Sequence, residues 1–128
     1  MKSILFVDDE PMVLDGLRRM LRGMRNEWEM EFVTNGHDAL KILDTKRFNV
    51  IVTDMRMPGM DGRKFFETVK KRNPALAHRI VFVTGDTVSP DTQAFFEETG
   101  NRWLSKPFNI AQVVDTVNEV LEKEAVPV

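Results

Sequence analysis

Two kinds of apolar spacing alternate along the chain. Short continuous runs, Ile4-Leu5-Phe6-Val7, Val50-Ile51-Val52 and Arg79-Ile80-Val81-Phe82-Val83-Thr84, are separated by longer stretches in which apolar residues return every three or four positions. A short continuous run is the pattern of a strand covered on both faces, and the longer spacing is that of a helix with one buried stripe. Glu29 to Val33 and Arg102-Trp103-Leu104 read as weaker strands, which makes five. After Pro11, the stripe Val13, Leu14, Leu17, Met20, Leu21 and Met24 predicts a first helix. Ala39, Leu40 and Leu43 predict a second, and Phe65, Phe66 and Val69 a third that stops before Pro74. A fourth opens at Pro90 around Phe95 and Phe96, and Ile110, Val113, Val114, Val117, Val120 and Leu121 predict a long fifth. Because Phe95 and Phe96 are adjacent, one of them is expected to point away from the sheet or to pack at its edge, leaving an exposed aromatic as a partner contact.

Strands and helices in strict alternation predict an α/β fold: a single-domain, doubly wound, five-stranded parallel sheet with five helices. Residues 1–124 form the domain in this reading and 125–128 a C-terminal tail. A chain of 128 residues has room for one core. Eighteen Lys and Arg against twenty Asp and Glu leave a net charge of −2, too weak a field to hold nucleic acid or an anionic membrane surface. The absence of cysteine removes disulfides, thiolate zinc sites and a cysteine nucleophile. No apolar run approaches the roughly 18 residues of a membrane span, and a cytoplasmic location is expected.

In an open parallel sheet, ligands bind beyond the carboxyl ends of the strands. There the chain places Asp8-Asp9-Glu10 after the first strand, Asp54 after the third, Thr84 at the exit of the fourth and Lys106-Pro107 after the fifth. Carboxylates gathered at one edge stay ionised only beside a cation. Oxygen donors without His or Cys favour magnesium over zinc. Lys106 adds a point charge suited to a phosphoryl oxygen, and Thr84 adds a hydroxyl. The chemistry that uses all of these is phosphoryl transfer, with Asp54 as nucleophile and Asp8 and Asp9 on the metal. Simpler roles stand beside each residue: Asp8 and Asp9 as helix caps, Asp54 and Asp61-Gly62 as turn residues, Lys106-Pro107 as a loop with a cis peptide. All of them must hold together for the site to vanish.

These residues resemble the receiver domain of bacterial two-component response regulators over essentially the whole chain. ILFVDDE (Ile4 to Glu10), VTDMRMPGMDG (Val52 to Gly62), FVTG (Phe82 to Gly85) and LSKPF (Leu104 to Phe108) stand in that family's order and spacing. The resemblance implies a flavodoxin-like strand order of 2-1-3-4-5. It implies that Asp54 accepts a phosphoryl group from the phosphohistidine of a histidine kinase or phosphotransfer domain. Asp9 and Asp54 would bind Mg²⁺ directly, Asp8 through water, and the backbone carbonyl of Arg56 would complete the protein ligands. Lys106 would pair with the phosphoryl group, and Thr84 would turn its hydroxyl toward it, drawing the loop from Gly85 to Pro90. Pro58 and Pro107 would shape the turns. Trp103 stands where the family has Tyr or Phe as an aromatic that swings inward. Indole is larger and carries an N–H, so the sequence departs there. Arg56 and Asp86 occupy positions that tune the lifetime of the phosphoryl group.

The implied protein is a regulatory phosphoacceptor that assists only its own phosphorylation and dephosphorylation. It would meet its output domain or partner through the face from Pro90 to Leu121, with a homodimer through Phe95, Trp103 and the last helix as a variant. Both a stand-alone regulator and the receiver portion of a longer regulator or hybrid kinase stay open. A magnesium-dependent phosphohydrolase is a competing reading, but the second Asp such enzymes carry two places after the nucleophile is Arg56 here. A flavin or nucleotide binder of the same shape lacks G-x-G-x-x-G and G-x-x-x-x-G-K-[ST]. Arg18, Arg19, Arg22 and Arg25 read as a solvated face, with partner docking second. His37 and His78 read as surface residues, and the eight methionines mostly as core and loop filler.

Overall fold

The computed structural model describes residues 1–85 and 89–125. Continuous apolar runs become strands β1 (Lys2–Val7), β3 (Val50–Asp54) and β4 (Ile80–Thr84), joined by β2 (Trp28–Val33) and β5 (Trp103–Ser105). All pair in parallel in the order β2-β1-β3-β4-β5. The helices are α1 (Pro11–Met20), α2 (Gly36–Leu43), α3 (Gly62–Arg72), α4 (Pro74–Ala77), α5 (Pro90–Thr99) and α6 (Ile110–Ala125), with a 3₁₀ turn at Arg22–Met24. The expected architecture and strand order are therefore present, with six α-helices among the described residues rather than five.

The additional helix has a local cause. Pro74 lacks the N–H that would continue α3. Asn73 has left helical geometry, and its side-chain oxygen accepts the N–H of Leu76, capping a fresh turn in which proline takes the first position. This turn buries Leu76 and Ala77. Asn101 then ties it to the sheet, its amide donating to the carbonyls of Ala77 at 2.9 Å and Ile80 at 2.8 Å.

Alternation along each strand sends side chains to two layers. One layer, under α1 and α6, joins Ile4, Phe6, Leu14, Leu17, Val50, Val52, Val81, Val113 and Val117. The other, under α2, α3, α4 and α5, joins Leu5, Ile51, Phe65, Phe66, Ile80, Phe82, Phe95 and Phe96. Here one expectation is corrected: neither Phe95 nor Phe96 is exposed. Phe95 meets Phe66 edge-on at 5.5 Å, and Phe96 lies over Phe82 at 5.5 Å and over Trp103 at 5.2 Å. Two adjacent helical residues, about 100° apart, straddle one stripe when the wall opposite is wide and aromatic. The exposed ring is Trp103 instead.

The methionines divide. Met57 and Met60 are buried, whereas Met1, Met12 and Met20 are exposed, so Met20 leaves the stripe assigned to the first helix. His37 and His78 are exposed as expected. Arg18 covers the Phe32 ring at 4.6 Å, which makes its side chain part of the packing rather than purely solvated. On the outer strand β2, Lys46 donates to Glu29 at 2.7 Å and Glu31 at 3.3 Å. The tail expected at 125–128 begins at the last residue of α6, and 126–128 lie outside the described residues.

Candidate functional site

Strands β1 and β3 lie side by side and end together, which brings Asp8 and Asp54 to one edge. Both are buried, 4% and 5% exposed. Each carboxylate uses one oxygen locally: Asp8 Oδ1 accepts the N–H of Glu10 at 2.9 Å, and Asp54 Oδ1 the N–H of Arg56 at 3.2 Å. The other oxygens share one cation. Lys106 Nζ donates to Asp8 Oδ2 at 3.2 Å and to Asp54 Oδ2 at 3.1 Å. Lys106 reaches them because its own N–H is held by the carbonyl of Thr84 at 2.7 Å, continuing the β4 and β5 pairing into the loop. The Lys106–Pro107 peptide is cis.

This electrostatic balance is uneven. Burial raises the Asp8 pKa above the ordinary carboxylate value and outweighs the Glu10 N–H and the Lys106 charge, which pull it down. Burial also works against the charge on Lys106. The hydrogen bonds and charges of Asp54 and Asp8 together exceed it, and the ammonium pKa is raised. The site is thus built to keep Lys106 charged, with Asp8 the carboxylate that bears the burial cost.

Among the described residues, the acidic groups whose ligand atoms lie within 4.8 Å of one another are Asp8, Asp9 and Glu10. Glu10, the last residue of the acidic run after β1, belongs to this cluster. Asp54 is joined to that cluster through Lys106. These are hard oxygen donors with no His or Cys among them, a donor set that fits a cation such as Mg²⁺. The capping alternative fails for α1, whose cap position, Glu10, makes no side-chain hydrogen bond to the helix. It holds for Asp61, which accepts the N–H of Lys64 at 2.9 Å and starts α3. Gly62 is required beside it, since a Cβ there lies 3.0 Å from the Cα of Met55 and 3.1 Å from the Asp54 carbonyl.

Beyond the carboxylates opens a cleft of about 850 Å³, lined by Asp9, Arg56, Pro58, Thr84 and, from α3 and α5, Arg63 and Asp91. Asp9 and Thr84 therefore face the same space. The exposed Gly85 follows Thr84, and a Cβ there comes no nearer than 4.0 Å to the Lys106 side chain. Pro58 lies in the exposed turn after Asp54. Trp103 is not brought to the carboxylates: it packs on Phe96 and borders a separate groove with Arg102 and Glu119. Asp86 lies outside the described residues. Arg63 carried no sequence signal, because its partners are distant along the chain.

The curated relatives include the hydrogenase transcriptional regulatory protein HoxA of Cupriavidus necator, 34% identical over 95% of this chain and 24% of its own length. The chain thus spans about a quarter of that relative. Among solved structures, a CheY-like response regulator receiver domain protein from Methanospirillum hungatei superposes with a TM-score of 0.84 at 26% identity, covering 97% of this chain and 96% of that one. The response regulator TrrA of Thermotoga maritima, solved in complex with Mg²⁺ and BeF, matches in fold with a TM-score of 0.77 at 24% identity, covering 94% of this chain and 99% of that one. The family model described as response regulator receiver domain matches residues 4–118, the span that carries most of β1, all of β2 to β5 and the whole acidic edge. The chain belongs to the response regulator receiver domain family of two-component signal transduction.

Proposed function

We propose that Asp54 is the phosphoacceptor, that its phosphorylation requires Mg²⁺, and that the phosphorylated form controls an output domain or partner protein. The observation that carries this reading is Lys106, whose ammonium bridges Asp54 and Asp8 at the strand ends. In the transfer from a phosphohistidine protonated on its other ring nitrogen, an Asp54 oxygen forms a bond to phosphorus as the P–N bond breaks, and that electron pair stays on the imidazole nitrogen. The product is an aspartyl phosphate and a neutral histidine.

Asp9 and Asp54 would hold Mg²⁺, with Asp8 through water and the Arg56 carbonyl, and Glu10 extends the acidic cluster. When bound, the cation neutralises charge building on the phosphoryl oxygens. Lys106 exchanges its Asp54 contact for a phosphoryl oxygen while keeping Asp8. Thr84, across the cleft, offers its hydroxyl to the same group, and Gly85 lets the strand exit follow. A regulatory role fits better than turnover, because Arg56 stands where a phosphohydrolase needs its second acid.

The phosphodonor is a histidine kinase or phosphotransfer domain, and the output contact runs over the face from Pro90 to Leu121, where Trp103 is exposed. That face also serves the homodimer alternative. No helix among the described residues is long and apolar enough to cross a membrane. A cytoplasmic location is the reading that matches such a donor. The test is intact mass after incubation with a small-molecule phosphodonor. A gain of one phosphoryl group that needs both Mg²⁺ and Asp54, and is absent in Asp54→Asn, is expected. A gain retained in Asp54→Asn removes the assignment.

A further inference from the structure

Arg63 sits in the first turn of α3, where the positive end of a helix dipole disfavours a cation. Local chemistry therefore does not account for it, and its contacts lie elsewhere. Its Nη2 donates to the backbone carbonyl of Asp91 at 3.3 Å, and its guanidinium lies 4.9 Å from the centre of the Phe95 ring. Both partners belong to α5. Arg63 lines the cleft together with Arg56 and Pro58 from the loop after β3 and Asp91 and Thr92 from the first turn of α5.

Among the described residues, the polar contacts of α5 lie mostly at its ends. Ser89 caps it, accepting the N–H of Thr92, and at its other end Gly100 closes it in a left-handed conformation. In between, Phe95 and Phe96 rest on the rings of Phe66, Phe82 and Trp103. Ring-on-ring contacts carry no hydrogen bond, and both offset and edge-on arrangements are favourable. The directional hydrogen bond and the cation over Phe95 supply the orientation that the rings leave loose.

We propose that Arg63 is a positioning residue for the switch: it straps α5 to α3 in this structure and opposes the shift of α5 that accompanies a phosphoryl group at Asp54. This rests on Asp54 being the acceptor. A contact made in one arrangement and lost in the other biases the equilibrium toward the first. Removing the strap therefore makes occupancy of the acceptor site easier, whereas removing a purely structural contact would only loosen the fold.

The experiment titrates the intact chain with beryllium fluoride in saturating Mg²⁺, followed by calorimetry and by Trp103 emission in a Trp28→Phe background. Arg63→Ala is expected to bind about fivefold or more tightly than the unmodified chain. Arg63→Lys, which keeps charge but loses the planar stack and fork, falls between them. Phe95→Leu moves the same way, and its effect does not add to that of Arg63→Ala. Unchanged or weaker binding in Arg63→Ala, with the unmodified chain binding normally, overturns the strap and leaves the acceptor reading intact. An unmodified chain that binds Mg²⁺ but no beryllium fluoride removes the acceptor reading and the strap with it.

Discussion

The two sides of the sheet are packed with different chemistry. Under α1 and α6 the core is mainly branched aliphatic side chains, Leu14, Leu17, Leu21, Val113, Val117 and Val120 among them, with one ring pair, Phe6 and Phe32, at 5.1 Å. Under α3 and α5 it is a run of rings, Phe66, Phe95, Phe82, Phe96 and Trp103, each touching the next at 5.2 to 5.5 Å. Aliphatic interdigitation fixes a helix in one place, since any shift opens voids. Ring pairs are favourable both offset and edge-on, so packing built on them has more than one favourable arrangement. One side therefore reads as a frame and the other as the layer where a rearrangement can occur.

The sharpest way to break this contrast is to cut into each layer. Phe82→Ala removes the ring on which Phe95 and Phe96 both rest and is expected to cost about 4 kcal/mol, against about 3 kcal/mol for Leu17→Ala, read from urea unfolding midpoints. The distinguishing readout is functional. Leu17→Ala should leave the Trp103 emission change on beryllium fluoride binding intact, whereas Phe96→Leu should blunt it at a smaller stability cost. Equal effects from both layers would erase the distinction.

A second prediction concerns the acidic edge that both layers share. Lys106 has a raised pKa, so its contribution to stability is complete below 10.5 and lost as pH rises through its folded value. Asp8 is also raised, so the folded state is favoured while that carboxyl is protonated, and stability falls as pH climbs from 3.8 through its folded value. Lys106→Met removes groups that pull Asp8 down. The acid-side decline should steepen and the alkaline loss attributable to Lys106 disappear, with about 1 to 3 kcal/mol lost near neutral pH. Unfolding midpoints across pH check this; an acid-side slope equal to that of the unmodified chain counts against it. The smallest effect is expected at Gly100, whose φ of 72° ends α5. Gly100→Ala should cost about 1 kcal/mol by the same measurement.

How much of this was legible in the sequence follows from the range of each interaction. Buried parallel strands read as continuous apolar runs, and the polar residue just past each run marks the edge, so Asp8, Asp54, Thr84 and Lys106 could be placed from spacing. The family resemblance then supplied roles and strand order that spacing could not. Helix α4 escaped because it is a single turn held by the Asn73 cap and the Asn101 amide, too short for periodicity to register. Phe95 and Phe96 were misread because adjacency excludes a shared stripe only when the opposing wall is narrow, and the width of that wall is a tertiary fact. Arg63 was invisible for the same reason: Asp91 lies 28 residues away, and nothing in the local pattern links them.

Lys46 has a meaning beyond its ion pairs. An outer strand offers a row of backbone groups to any other extended chain, and open-ended stacking of such strands is how soluble sheets aggregate. On β2, Glu29 and Glu31 project from one face with Lys46 clasped across them, so a strand arriving from outside meets a knot of fixed charge. The opposite margin is β5, only three residues long. Charge at one margin and shortness at the other both discourage the addition of a further strand.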